Sequence, residues 1–75
     1  QGQLVFEEQP LGSILATLKR YDKRVIVFNN DRLAAIKLNA IIDINHLDDW
    51  YDGLQQSLPV NISRGGPVVW LRERK

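Results

Sequence analysis

The chain has 75 residues, 44% of them apolar and 25% charged, with a net charge of +1 and neither cysteine nor methionine. One small domain of this length buries only about 60–65% of the surface its unfolded form exposes, so its core must be thin. No apolar run approaches the ~18–20 residues that span a bilayer, and missing cysteines exclude a disulfide framework and thiol-based metal or redox chemistry.

Gln3–Glu8 alternates loosely and reads as a first strand, ended by Gln9-Pro10. Pro10 suits the first turn of a helix, where its missing N–H would be unpaired anyway. Leu11, Ile14, Leu15, Leu18 and Tyr21 then form one apolar helical stripe. Arg24–Phe28 is a β-branched run, expected to be a strand covered on much of both faces. Asn29-Asn30-Asp31 is turn chemistry. From Ile36 the alternation is clean: Ile36, Leu38, Ala40 and Ile42 face one way, Lys37, Asn39, Ile41 and Asp43 the other.

Asn45 is the expected N-cap of a second helix, with Asp48 and Asp49 in its electropositive first turn. Its stripe is Leu47, Trp50, Tyr51, Leu54 and Leu58, and Pro59 stops it. Gly53 inside it is expected to mark a close approach of the two helices. Val60–Arg64 and Pro67–Arg72 flank Gly65-Gly66, a pattern for a tight hairpin. The order is therefore βαβ–βαββ, an α+β domain whose segments 3–28 and 36–64 look like two versions of one strand–helix–strand idea.

Little in the chain carries catalysis, which needs a nucleophile with a base, paired acids or a metal. The only histidine, His46, reads as a solvated residue of the first helical turn. Asp43, Asp48, Asp49 and Asp52 lack the loop spacing and central glycine of an EF-hand, and read as a solvated acidic face. Gly65-Gly66 has no Lys-Ser/Thr after it, so it is not a phosphate loop. The third strand has no aromatic on which a base could stack, so an RNA-recognition module does not fit despite the similar element order. No enzyme activity, metal or cofactor is expected.

Charge is polarised along the chain. Residues 1–37 carry a net +2, residues 38–63 a net −4, and residues 64–75 a net +3. Such a surface suits steering toward a protein partner. Trp70, with basic residues around it, is the most suggestive side chain; the alternative is that it caps the core. Ile41, on the polar side of the third strand, is either exposed or covered by the second sheet.

Several short matches together resemble the C-terminal part of FecR-family anti-sigma regulators. They are Gly2-Gln-Leu-Val-Phe6, Gln9-Pro-Leu11 opening a helix, Leu18-Lys-Arg-Tyr21, Leu33-Ala-Ala35, Leu58-Pro-Val60 and Val68-Val-Trp-Leu71. Ala40 stands where that family often has glycine, and Lys19 where it usually has asparagine. The resemblance covers essentially the whole chain and implies a domain like the short N-terminal domain of secretins and TonB-dependent receptors, with two helices sandwiched between a two-stranded and a three-stranded sheet.

It further implies that residues 1–75 are one domain excised from the C-terminal part of a longer regulator anchored in the bacterial inner membrane, an expectation to which the start at Gln1, without Met, conforms. The domain would lie in the periplasm and bind the signalling domain of an outer-membrane TonB-dependent siderophore receptor. The parent protein would bind an extracytoplasmic-function sigma factor through its N-terminal part. Neither nucleic acid nor the siderophore itself would be a ligand. A receptor-side signalling domain or a secretin-type assembly domain are the alternatives. Two docking routes are expected: strand addition at a sheet edge formed by Pro67–Arg72, with Arg64, Trp70 and Arg72, or contact with the outer face of the third strand through Lys37, Asn39 and Ile41.

Overall fold

The computed structural model describes residues 2–74. In chain order the elements are β1 (Gln3–Pro10), α1 (Leu11–Leu18), β2 (Val25–Phe28), α2 (Asp31–Ala34), β3 (Lys37–Asp43), α3 (Leu47–Ser57), β4 (Val60–Gly65) and β5 (Val68–Glu73). β1 and β3 form an antiparallel two-stranded sheet, and β2, β5 and β4 form a three-stranded sheet in that order. The α+β class and the two small sheets agree with the sequence. α2 is an addition: Asn30, expected only as turn chemistry, caps it by accepting a 2.9 Å hydrogen bond from the Leu33 N–H.

One core joins both long helices to the inner faces of both sheets. Leu11, Ile14, Leu15 and Leu18 of α1 meet Leu47, Tyr51 and Leu54 of α3, Ile42 of β3, and Ile26, Val60, Ile62, Val69 and Leu71 of the larger sheet. The β3 alternation holds, with Leu38, Ala40 and Ile42 turned toward this core and Ile41 exposed.

Several local expectations are corrected. β1 does not stop at Gln9-Pro10 but continues through a bulge between Phe6 and Gln9, where Glu8 adopts a φ of 50°. The Asn39 side chain holds that left-handed residue by accepting a 2.8 Å bond from its N–H. α1 ends at Leu18, and the following residues tighten into three-residue hydrogen-bonded turns. Tyr21 therefore leaves the apolar stripe and is 43% exposed. β2 is not covered on both faces, because Val25 and Val27 point outward.

Asn45 does not cap α3. The Asp43 carboxylate accepts the Asn45 N–H at 2.9 Å, an extra turn that delays the helix to Leu47, with His46 at the N-cap. The tight turn is Gly66-Pro67 rather than Gly65-Gly66, since Gly65 pairs with Val68. Gly66 has a φ of 56°, and proline fixes a negative φ after it, the sign pattern of a type II′ hairpin.

The glycine that permits close helix packing is Gly12, not Gly53. A Cβ at position 12 would lie 3.1 Å from the Ala34 Cβ, whereas one at position 53 would meet nothing within 4 Å. Gly53→Ala should therefore raise stability by about 0.5–1 kcal/mol through helix propensity. Gly12→Val should lower it by about 1–3 kcal/mol by forcing α1 from α2. Urea unfolding of the two variants checks both signs.

Candidate functional site

The six expected docking residues do not form one patch. Trp70 lies on β5, which is the central strand of its sheet and has no free edge. Strand addition along Pro67–Arg72 is thereby excluded: β2 and β4 occupy both sides. Trp70 does not cap the core either. It is 46% exposed on the outer face, with the Arg72 guanidinium carbon 4.7 Å from its ring centroid in a cation–π stack.

Arg64 stands apart from that pair. It lies opposite Val69, a fully buried residue, and so shares the inner face of the sheet. From the margin its guanidinium donates to the Asp52 carboxylate at 2.7 Å and to the Asp48 carbonyl at 3.3 Å, tying β4 to α3. Its charge is spent internally rather than offered to a partner.

Lys37, Asn39 and Ile41 are brought together as expected, on the outer face of the two-stranded sheet. Ile41 is 68% exposed, and its cross-strand partner Val5 is 64% exposed. Asn39 is engaged at the Glu8 bulge, which leaves Lys37 and the Val5–Ile41 pair as the free groups of this face.

Sequence reasoning missed Val25 and Val27. Val27 lies opposite Trp70, and Val25 opposite Val68. With Trp70 and Arg72 they make the outer face of the larger sheet an apolar patch with a cation at one end. A continuous apolar run cannot reveal which of its residues face out, so nothing in Arg24–Phe28 alone marked them.

Behind these surfaces sits a polar junction. Asp22, whose side chain is 3% exposed, accepts hydrogen bonds from the Arg24 backbone N–H, from the Arg24 guanidinium through both carboxylate oxygens, and from the Tyr51 hydroxyl, each at 2.9 Å. Arg24 also reaches the Asp48 carboxylate at 2.6 Å and lies over the Tyr51 ring. The acidic residues of α3 are therefore not simply a solvated face: Asp48 and Asp52 fasten the helix to the β2 and β4 regions.

Burial alone would raise the Asp22 pKa, but the hydrogen bonds from Arg24 and Tyr51 outweigh it and hold the carboxyl below its ordinary 3.8. Burial, and then the bond to Asp22, raises the Tyr51 phenol well above 10.0. The Asp22 contribution to stability is present above pH 3.8 and lost as pH falls through the lower folded value. The Tyr51 contribution is complete below pH 10.0 and lost as pH rises beyond it toward the raised folded value. Asp22→Ala should cost about 2–3 kcal/mol, since it strands the Tyr51 hydroxyl and part of Arg24. It should also flatten the acid limb of a stability–pH profile measured by urea unfolding.

Among the described residues no cluster of histidine, cysteine, aspartate or glutamate could hold a metal ion, and no helix is long and apolar enough to cross a membrane. No curated protein matches the chain. A crystal structure of a protein assigned as an anti-sigma factor from Parabacteroides distasonis superposes with a TM-score of 0.81 at 20% identity, over 100% of this chain and 35% of that one. This likeness establishes the fold, and the chain spans about a third of that protein's length. The family model described as FecR, C-terminal, matches residues 3–70, and the chain therefore belongs to the FecR C-terminal domain family.

Proposed function

We propose that this domain is the periplasmic signal-receiving module of a membrane-anchored anti-sigma regulator. Its partner is the signalling domain of an outer-membrane TonB-dependent receptor, and the signal it passes on reports ferric-siderophore uptake. The parent protein holds an extracytoplasmic-function sigma factor through a separate N-terminal part. The domain does no chemistry of its own; it acts by being bound.

The observation that carries this reading, within the FecR C-terminal family, is the outer face of the larger sheet. Trp70 stands 46% exposed beside Val27 and under Arg72, in a domain whose other long apolar side chains mostly lie in the core. Tryptophan and arginine are enriched among the residues that dominate protein interfaces: tryptophan covers much area with two rotatable bonds, and arginine offers a planar guanidinium that stacks and donates several hydrogen bonds. The Val5–Ile41 face is smaller and lacks an aromatic anchor, so it ranks second.

Calorimetric titration with the signalling domain of the receptor encoded beside the gene tests the proposal. Saturable binding that weakens as salt rises is the expected result. Trp70→Ala should reduce the affinity by about tenfold or more while leaving the unfolding midpoint nearly unchanged. Full affinity in a folded Trp70→Ala variant would remove this face from the proposal.

A further inference from the structure

A strand with an unpaired side offers a row of backbone donors and acceptors, and proteins ordinarily blunt such edges with charge, proline, bulges or covering side chains. In the larger sheet, β4 is blunted: the Gln55 side-chain carbonyl takes the outward Ile62 N–H at 2.8 Å. In the smaller sheet, β1 carries the bulge together with Glu7 and Glu8. β2 has none of these devices. Its four residues, Val-Ile-Val-Phe, include no charge, proline or register shift. Among the described residues no side chain bonds to its backbone.

The hydrogen-bonding phase of β2 follows from its pairing. The Val25 N–H donates to the Pro67 carbonyl at 2.7 Å, and Val25 and Val27 lie opposite Val68 and Trp70. In a parallel ladder alternate residues turn their backbone groups to the same neighbour, so Val25 and Val27 bond β5 while Ile26 and Phe28 present theirs to the open side. The side chains of Val25 and Val27 are 62% and 38% exposed on the outer face, continuous with Trp70. At the start of the strand a groove is lined by Lys19, Asp22, Lys23, Arg24, Val25 and Ile26. Asp22 and Arg24 neutralise each other there, whereas Lys19 and Lys23 have no ion-pair partner among the described residues.

From this we infer that β2 is the docking strand of the domain, extended by a strand of the partner protein. The added strand bonds the backbone of Ile26 and Phe28. It lays apolar side chains at alternate positions beside Val25 and Val27, continuing the outer face that carries Trp70, and it carries an acidic residue where it meets Lys19 and Lys23. The inference rests on the protein-binding reading above and gives it a mode, one that β5 cannot supply. A second copy of this chain fits less well. Antiparallel pairing of two β2 strands would bring only Asp31, with Arg32 beside it, toward Lys23 of the other copy, and would leave the basic groove unmatched.

The test uses the 75-residue chain and, in parallel, the full-length polypeptide that carries it, each titrated with the receptor signalling domain. Amide hydrogen exchange should show the Ile26 and Phe28 N–H groups gaining protection on binding. The double variant Val25→Lys with Val27→Lys should lose at least about tenfold in affinity. Gln56→Lys, an exposed position on α3, should bind as the parent does, and Lys19→Gln with Lys23→Gln should weaken binding and reduce its salt dependence. Urea unfolding verifies that each variant is folded. Unchanged binding by the double valine variant, with Ile26 and Phe28 still unprotected, overturns the inference and leaves the receptor reading standing. No binding by the unaltered protein overturns both. A β2-dependent dimer in sedimentation, with no partner-induced protection, overturns the inference in favour of a second copy.

Discussion

An ionised carboxylate enclosed by protein is tolerated only when its oxygens are matched by donors. Asp22 imposes that condition here, and the layout of the domain follows from how it is met. The Arg24 backbone and guanidinium and the Tyr51 hydroxyl supply the donors, so the turn after α1, the start of β2 and the middle of α3 are held at one point. With β2 fixed there, β5 lies parallel to it and β4 closes on the far side, which turns Val69 and Leu71 inward and Trp70 outward. The exposed face that carries Trp70 is thus oriented by a junction on the other side of the sheet.

The inner faces were legible because period alone determines them. The stripe of α1 from Leu11 to Leu18, the stripe of α3 and the alternation of Leu38, Ala40 and Ile42 needed no knowledge of partners. The same parity put Trp70 with Arg72, and Lys37 with Asn39 and Ile41. It would also have separated Arg64 from Trp70: across a hairpin with a two-residue loop, Arg64 shares the face of Val69. What period cannot supply is long-range pairing. That β5 lies between β2 and β4 depends on a parallel contact between segments some forty positions apart, and no local pattern encodes it. The role of Asp22 was hidden for the same reason, because its partner Tyr51 lies 29 residues away.

The charge distribution changes meaning once the contacts are known. Along the sequence, residues 38–63 form an acidic block. In the fold, Asp48 is drawn to Arg24 and Asp52 to Arg64, so part of that block is neutralised within the domain. Among the described cations without an ion-pair partner, Lys19, Lys23 and Arg72 border the larger sheet, while Lys37 lies on the smaller one. The field that a partner meets is therefore more basic at that sheet than the near-neutral total suggests, which favours approach of an acidic surface from that side.

The position of β5 also constrains how the domain is made. β2 and β4 are not neighbours in the larger sheet, and each is joined to it only through Val68–Glu73 between them. Ile26 and Ile62 thus share one sheet only by way of Val69 and Leu71, and trimming Val68–Glu73 would separate the two halves of the sheet instead of merely shortening it.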